Sequence, residues 1–460
     1  GLTSALLTAD LAYRFPKAFL WGAATAAHQV EGGNHNNDWW QWEQLPGKIK
    51  NGDTSDPACD HYVRYRQDFE TLRAMGHNAH RLSIEWSRLF SERGVVSPEA
   101  VAHYRQVLET LRELGMTPLV TLHHFTNPLW LSRVGGWENE GAIEDFRQLA
   151  RLCAAEFGDL VDLWTTFNEP NVYAYQSYVL GLWPPERRDF AAAVGVMRNI
   201  IRAHAAAYIE LKSGPHGGSA RVGIAQHMRL FEPWRRWHPL DRMASALPEA
   251  GFNHWILRAC TDGRAGWPLG KPMRIPEAAG TLDWIGLNYY SRDMVAFDAT
   301  ATRNLFSRTF SRPGSQLSDF AMEIYPQGIH TLLLELAARY GKPIYITENG
   351  VADSRDAFRA PALVAHLAES ARALDAGADL RGYLHWSSMD NFEWAEGYTM
   401  RFGLLEVDFA TQARVPRPSS LLYSGLIRRN GITWEELREY YPTALGYFET
   451  SIRSSASSSP

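Results

Sequence analysis

The sequence of 460 residues predicts an α/β protein, a (β/α)8 or TIM barrel with extended loops after its strands. Amphipathic helical segments alternate with short, fully apolar segments, a pattern typical of a parallel sheet that helices cover on both faces. Eight such apolar segments occur along the chain, which is the number of strands that closes a barrel of this type. Polar clusters follow several of them at their C-terminal ends, where such barrels carry their functional residues.

One helix–strand unit begins at Ser97, which can cap a helix whose first turn contains Pro98. Apolar residues then recur at helical spacing until Gly115, which ends the helix. The apolar segment 118–122 follows and leads into two histidines, of which the second is His124. This order of helix, stop, strand and polar end predicts one repeat of the barrel.

Three more units have the same order. Their helices and strands are predicted at 143–157 and 161–167, at 329–340 and 343–347, and at 362–376 and 381–385. The other four strands are predicted at 19–24, 79–83, 222–226 and 284–288. A doubly wound open sheet would show a similar alternation, but it would need a glycine-rich phosphate loop after its first strand, and Gly22 stands alone there.

The organisation of the chain predicts a single domain over residues 1–453, because no Pro/Ser-rich linker interrupts the barrel pattern. Residues 454–460 are Ser-rich and of low complexity, so a disordered tail is expected there. The apolar run 5–7 is too short for the core of a signal peptide, and no later stretch approaches the roughly 18 apolar residues of a membrane span. We expect no membrane partner, and the sequence leaves open whether a leader was removed before Gly1.

Charge and cysteine content exclude several classes of function. The net charge is −5, so no basic field exists to hold a polyanion, and nucleic acid is not expected as a partner. The three cysteines are widely spaced and lack the spacing of a metal site or a disulfide scaffold. The pattern predicts a reducing, cytoplasmic setting with no metal and no cofactor, and leaves open whether the chain forms a homo-oligomer.

Two of the predicted strands end on a glutamate. Glu169 lies in the segment 166–170, and Glu348 lies in the segment 346–350. The C-terminal ends of barrel strands meet at one mouth, so both carboxylates are expected there. Cleaving an acetal needs a proton donor at the leaving oxygen and a second carboxylate facing the anomeric carbon. Either glutamate alone could equally be a structural salt-bridge or capping residue, so the pair carries the prediction.

Seven ordered blocks of the sequence resemble glycoside hydrolase family 1, the β-glucosidase family, over nearly the whole chain. The blocks are FLWGAAT (19–25) with Gln29 and Glu31-Gly32, RLSIEWSR (81–88), His124, TTFNEP (165–170), NYY (288–290), TENG (347–350), and DNFEWAEGY (390–398) followed by RFG (401–403). Any single block would be a weak signal, whereas seven blocks in this order are specific.

The resemblance implies a retaining β-glycosidase of the β-glucosidase type, which hydrolyses terminal non-reducing β-D-glucosyl residues by double displacement through a covalent glycosyl–enzyme intermediate. It also implies β-galactosyl and β-fucosyl residues as further substrates, and β-glucosides and short β-linked oligosaccharides as partners. Glu169 is implied as acid/base and Glu348 as nucleophile, with Arg81 and Asn288 as support for the nucleophile. The residues implied in substrate binding are Gln29, His124, Asn168, Tyr290, Trp386, Glu393, Trp394 and Phe402.

The expected electrostatics agree with these roles. Arg81 beside Glu348 would lower the pKa of that carboxyl, and an apolar setting would let Glu169 keep its proton. Two alternatives are a sugar-binding protein without activity on the same barrel and a metal-dependent barrel hydrolase. The first has no need of both carboxylates, and the second would want a His-x-His pair after the first strand, where only His28 occurs.

Branches of the family differ at single positions that this sequence resolves. Glu393 favours unphosphorylated sugars, since the phosphosugar branch carries a small residue there. Glu169 argues against the thioglucosidase branch, which carries Gln at the acid/base position. Asn171 stands where the family often has Trp, and Gln176 follows in the same segment. Both residues are expected on the aglycone side, so the preference for the leaving group stays open.

Overall fold

A computed structural model gives the structure of residues 10–457, which form a closed barrel of eight parallel strands with helices between them. The eight predicted strands are confirmed. Each strand pairs with the next along the chain, and the last pairs with the first. The strands, labelled β1 to β8, are Leu20–Ala24, Ala79–Ser83, Thr117–His123, Leu163–Asn168, Arg221–Pro233, Trp284–Phe297, Ile344–Glu348 and Leu380–Trp386.

Strands β5 and β6 extend well past the ends that the sequence predicted. Their pairing shifts register between Tyr289 and Arg292 and then continues to Val295 opposite Pro233. The extension of β6 also pairs with a short antiparallel strand at Ser307–Phe310. The two strands therefore rise from the barrel rim as a ribbon beside the mouth. Other short strands pair outside the barrel at Leu11–Arg14 with Gly431–Thr433, Phe90–Glu92 with Val95–Val96, Arg264–Ala265 with Met273–Arg274, and Leu405–Asp408 with Ala413–Pro416.

The predicted helices are present and end within one residue of the predicted positions, but three of them begin two or three residues earlier than predicted. The Ser97 side chain accepts a hydrogen bond from the backbone N–H of Ala100 at a helix start, and Gly341 adopts φ 60° at a helix end. The α-helices of more than six residues are His61–Ala74, Pro98–Glu113, Gly141–Phe157, Phe190–Ser213, Pro239–Pro248, Trp255–Asp262, Gln327–Tyr340, Arg359–Asp375, Pro418–Arg429, Trp434–Tyr440 and Leu445–Ser457. Shorter ones are Ala27–Val30, Asp38–Glu43, Trp86–Leu89, Leu129–Ser132 and Pro170–Ala174.

Apolar side chains from the strands fill the barrel interior, and larger clusters pack between the strands and the helices. The interior cluster includes Leu119, Leu163 and Trp284, all buried. Gly22 allows β1 and β2 to approach closely, because a Cβ at this position would lie 1.9 Å from the carbonyl oxygen of Ala79. The barrel is thus a packed core, and its mouth is the place where polar groups can collect.

The loop after β8 is held by the buried carboxylate of Asp390. Arg417 donates two hydrogen bonds to it at 2.7 and 2.9 Å, Arg401 donates one at 2.8 Å, and the backbone N–H of Gly403 donates one at 3.0 Å. These donors compensate the cost of burying the charge. The network fixes the segment that contains Glu393 at the barrel mouth.

The disordered tail expected at 454–460 stays a prediction. The last helix, Leu445–Ser457, includes the first four residues of the Ser-rich segment 454–460. A helix that has already formed extends at little cost, and no Gly or Pro interrupts it there. Residues 458–460 lie outside the described residues, as does the apolar run 5–7 near the N-terminus. Within the described part of the chain, no helix is long and apolar enough to span a membrane.

Candidate active site

Glu169 and Glu348 lie at the C-terminal ends of β4 and β7, and both line one cavity of about 380 Å³ at the barrel mouth. Only 7% of Glu169 and 5% of Glu348 is exposed. Glu169 adopts φ 46° and ψ 54°, a left-handed conformation in which the chain turns from β4 into the helix Pro170–Ala174. A non-glycine residue in this region is uncommon and is often found at functional sites.

Both carboxylate oxygens of Glu348 accept strong hydrogen bonds. Arg81, a fully buried residue of β2, donates from Nη1 to Oε2 at 2.7 Å. The hydroxyl of Tyr290, on β6, donates to Oε1 at 2.6 Å. Bonds of this kind stabilise the ionised carboxylate and fix its orientation. Of these two partners, the resemblance implied Arg81 as support for the nucleophile and Tyr290 as a substrate-binding residue.

A chain of amides connects the two glutamates. The side-chain oxygen of Asn168 accepts from Arg81 Nη2 at 2.7 Å and from Asn288 Nδ2 at 3.1 Å. The same nitrogen of Asn288 donates to Glu169 Oε2 at 3.0 Å. Four strands thus contribute one continuous network that runs from Glu348 through Arg81 to Glu169.

The expected contact of Asn288 with the nucleophile is corrected by this geometry. Its amide nitrogen faces Glu169 and Asn168 instead of Glu348. The reason is the hydroxyl of Thr347, which donates to the side-chain oxygen of Asn288 and so fixes the orientation of the amide. Asn288 therefore supports the other carboxylate.

His227 is a site residue that the sequence reasoning did not identify. Its Nδ1 lies 3.0 Å from Glu169 Oε2, and its ring stacks at 5.9 Å on the ring of Tyr290. The signal was available, because His227 directly follows the predicted strand 222–226. Polar residues at the C-terminal ends of barrel strands lie at the mouth, and this rule predicts His227 as a site residue.

The two carboxylates differ from the expected order of ionisation. Burial and the charge of Glu169 raise the pKa of Glu348 to about 7, although Arg81 and Tyr290 lower it. Burial also raises the pKa of Glu169, but the contacts with His227 and Asn288 outweigh it and leave the pKa below its usual value. Of these two carboxyls, Glu169 therefore ionises first, stabilised by His227, and Glu348 keeps its proton up to about pH 7.

The remaining predicted substrate-binding residues surround the same cavity. Trp386 Nε1 donates to Glu393 Oε1 at 2.8 Å, and burial raises the pKa of Glu393 to about 8. Gln29 donates to the backbone oxygen of Phe392 at 2.8 Å. The predicted binding residues that line the cavity are Gln29, His124, Tyr290, Trp386, Glu393, Trp394 and Phe402. Asn168 backs the glutamates and contacts His124 Nε2 at 3.2 Å.

Two buried polar atoms of this shell have no hydrogen-bond partner among the described residues, Gln29 Oε1 and His124 Nδ1. A buried polar atom without a partner costs free energy, which a hydrogen bond from a ligand would offset. Burial lowers the pKa of His124 well below its usual value, and the charge of Arg81 lowers it further, so its ring is neutral. Hydroxyl groups of a bound ligand could satisfy both atoms.

One group in the described part of the chain has the side chains of a metal site. One ligand atom each of Glu249, His254 and Glu335 lies within 4.8 Å of the others. None of the three lines the cavity of Glu169 and Glu348. His254 already bonds to Glu335 at 2.6 Å and to the hydroxyl of Tyr340 at 2.7 Å. The expectation that no metal takes part in the reaction stays a prediction.

Comparison with known proteins points to one family. Residues 11–432 match the family described as Glycosyl hydrolase family 1. Beta-glucosidase A of Thermotoga maritima is 35% identical over 447 residues, which cover 91% of this chain and 99% of the relative. A beta-galactosidase of Pyrococcus woesei is 31% identical over 506 residues, 91% of this chain and 98% of the relative. The solved structure of a beta-glycosidase from Pyrococcus horikoshii has a TM-score of 0.87 at 38% identity and covers 94% of this chain and 98% of its own.

Proposed function

The chain belongs to glycosyl hydrolase family 1, and from this premise we propose that Glu169 and Glu348 carry out its reaction as acid/base and nucleophile. The protein is a glycoside hydrolase, a retaining β-glycosidase of the β-glucosidase type. One observation carries the assignment of residues: two strand-end carboxylates share a cavity and are linked by the buried network of Arg81, Asn168 and Asn288. Retaining hydrolysis needs one carboxylate that attacks and one acid that protonates the leaving oxygen.

In the first step, a carboxylate oxygen of Glu348 attacks the anomeric carbon while the bond to the leaving oxygen breaks. Glu169 gives its proton to that oxygen, so the aglycone leaves as an alcohol and the sugar remains as an ester on Glu348. The hydrogen bonds of Arg81 and Tyr290 aim the attacking carboxylate and stabilise its ionised form. Burial protects the ester from uncontrolled attack by water.

In the second step, Glu169 acts as a base. It takes a proton from a water molecule whose oxygen attacks the anomeric carbon, and the ester bond to Glu348 breaks. Two inversions at the same carbon return the β configuration, and Glu169 is protonated again for the next cycle. The bonds of Asn288 and His227 to Glu169 support this step, because they stabilise the charged form of the base.

The single proton of the carboxylate pair must lie on Glu169 when the leaving group departs. Its transfer from Glu348 to Glu169 leaves the total charge of the pair unchanged, but it works against the contacts that raise the pKa of Glu348 and lower the pKa of Glu169. Positive charge that develops at the anomeric carbon favours the arrangement in which Glu348 is ionised. The transition state therefore selects the reactive arrangement.

The sugar specificity follows from the residues around Glu393. Glu393, Gln29 and His124 offer hydrogen-bonding atoms at one end of the cavity, and Trp386 and Trp394 offer aromatic faces. We propose terminal β-glucosides and short β-linked oligosaccharides as substrates, with β-galactosides and β-fucosides accepted as well. The similarity to a relative named beta-galactosidase supports the acceptance of β-galactosides.

The cysteines support the proposal of a cytoplasmic setting. Cys59, Cys153 and Cys260 are buried free thiols, and burial raises the pKa of each. Within residues 10–457 the fold thus uses no disulfide. Proteins of reducing compartments share this property.

Replacing Glu348 by Gln should reduce kcat by at least about 10⁴-fold, since the side chain can no longer form the ester. A circular dichroism spectrum should show that the barrel remains folded, and the exposed Glu113→Gln variant should keep full activity as the matched control. In the wild type, a 2-deoxy-2-fluoro glucosyl label should be found on Glu348 by peptide mass spectrometry. A label on any other residue would refute the assignment of the nucleophile.

Replacing Glu169 by Ala should affect substrates according to their leaving groups, because an acid helps only a poor leaving group. Disaccharide hydrolysis should fall by roughly 10²–10⁴-fold, the usual contribution of general acid catalysis. Formation of the intermediate from a dinitrophenyl glycoside should be nearly unchanged, and added azide should accelerate its breakdown. Equal losses on both substrates would show that Glu169 has another role.

The pH profile should report the proton that the pair shares. For a disaccharide, kcat/KM should fall above about pH 7, where the pair loses its last proton and with it the general acid. For a dinitrophenyl glycoside, which needs no acid, the alkaline fall should be much weaker in the same buffers. A disaccharide profile that stays flat to pH 9 would contradict the assignment.

Replacing Glu393 by Ser should remove hydrogen bonds to the 4- and 6-hydroxyls of the sugar. At about 0.5–1.5 kcal/mol for each bond, kcat/KM for an aryl β-glucoside should fall by roughly 10- to 100-fold. An aryl β-fucoside should lose less, because it lacks the 6-hydroxyl already. If glucoside, galactoside and fucoside all lose the same factor, Glu393 does not read these hydroxyls.

A further inference from the structure

The cavity that contains the two glutamates does not end at the sugar site. Beyond Glu169 it continues into a region that is lined largely by hydrocarbon side chains from several loops and from the helix Phe190–Ser213. We call this region the apolar arm. Its principal apolar residues are Phe190, Val194, Met197, Phe252, Leu269 and Leu305.

The apolar arm begins directly beside the acid/base candidate. The ring of Phe252 lies 5.8 Å from the ring of His227, whose Nδ1 contacts Glu169 at 3.0 Å. The acid protonates the oxygen that joins the sugar to the aglycone, so the aglycone must lie on this side of Glu169. In this arrangement Glu169 lies between the sugar site, which contains Glu393, and the apolar arm.

The walls of the arm are built from segments that pack against one another. A Cβ added to Gly251 would lie 3.1 Å from a methyl carbon of Leu269 and 3.4 Å from one of Leu305. The loop with Leu305 is also tied down, because the hydroxyl of Tyr175 donates to Asn304 at 2.6 Å. The segments that line the arm thus contact one another and form a defined pocket.

Several polar groups at the edge of the arm are already paired within the protein. The amide nitrogen of Asn171 donates to the backbone oxygens of His227 and Phe252 at 2.8 and 2.9 Å. Arg229 lies 3.3 Å from the carboxylate of Asp293. Two buried polar atoms of these residues, Asn171 Oδ1 and Arg229 Nε, have no hydrogen-bond partner among the described residues. A second sugar would need more free donors and acceptors than these two atoms, whereas a hydrocarbon group gains by leaving water for the apolar side chains that form most of the wall.

We infer that the apolar arm binds the aglycone and that the preferred substrates carry a hydrocarbon-rich aglycone in place of a second sugar. This inference rests on the proposed function of Glu169 and Glu348, and it settles the aglycone preference that the sequence left open. Asn171, which stands where the family often has Trp, contributes to it by leaving the entrance of the arm free of a large indole ring.

The test is a series of n-alkyl β-glucosides from butyl to octyl, each below its micelle concentration. The alcohols released have nearly equal acidity, so differences in kcat/KM report binding of the chain and not the chemistry. At about 0.8 kcal/mol for each buried methylene, kcat/KM should rise about 4-fold with each added carbon. An aryl β-glucoside assayed in parallel reports the proposed function itself.

Two variants locate the effect. Val194→Asp places a charge in the arm and should reduce the octyl-to-butyl ratio of kcat/KM at least 5-fold. Val63→Asp makes the same change at a valine that is 73% exposed on the outer helix His61–Ala74, and it should keep the ratio of the wild type. A thermal melt of each variant verifies folding, and the wild-type series decides the question alone if Val194→Asp does not fold.

A flat alkyl series in an enzyme that still hydrolyses the aryl glucoside would overturn the inference and leave the proposed function intact. An unchanged ratio in folded Val194→Asp would also overturn it, because the chain would then bind elsewhere. Failure to hydrolyse the aryl glucoside would overturn the proposed function and the inference with it.

Discussion

The buried guanidinium of Arg81 is the interaction on which the site depends. Two carboxylates in one buried cavity repel each other, and each also loses its hydration. Arg81 offsets both costs, since one of its nitrogens donates to Glu348 and the other donates to Asn168. Asn288 donates to both Asn168 and Glu169, so the same network also fixes the second carboxylate. A lysine could supply the charge but not two divergent donors in a fixed plane, so the planar fork of arginine fits this position.

The strands and the positions of Glu169 and Glu348 at the barrel mouth could be predicted from sequence, because both depend on local pattern. A barrel strand is a short apolar run between a helix stop and a polar end, and this order is visible in one dimension. The position of Glu169 after 161–167 and of Glu348 after 343–347 then followed from the rule that strand ends meet at one mouth. The family resemblance added the sugar-binding residues, which no periodicity could identify.

The parts that escaped prediction depend on contacts between distant segments. The position of His227 at a strand end was visible in the sequence, but its partner is a carboxylate 58 residues away, so its role was not. The orientation of Asn288 is decided by the hydroxyl of Thr347, which no pattern around residue 288 contains. Likewise, β5 and β6 extend beyond their apolar cores because each is the other's pairing partner. The order of ionisation was wrong because it was argued without the contact of His227 with Glu169 and without the burial that raises the pKa of Glu348.

A ligand in the apolar arm would affect which of the two glutamates carries the shared proton. The arm opens beside Glu169, so a hydrocarbon aglycone that fills it would remove water from the neighbourhood of this carboxylate. Loss of water disfavours the charged form and raises the pKa of a carboxyl group. Filling the arm would therefore favour transfer of the proton from Glu348 to Glu169. The first chemical step needs this arrangement, in which Glu169 is protonated and Glu348 is ionised. Part of the binding energy of such an aglycone would then appear as a faster chemical step as well as tighter binding.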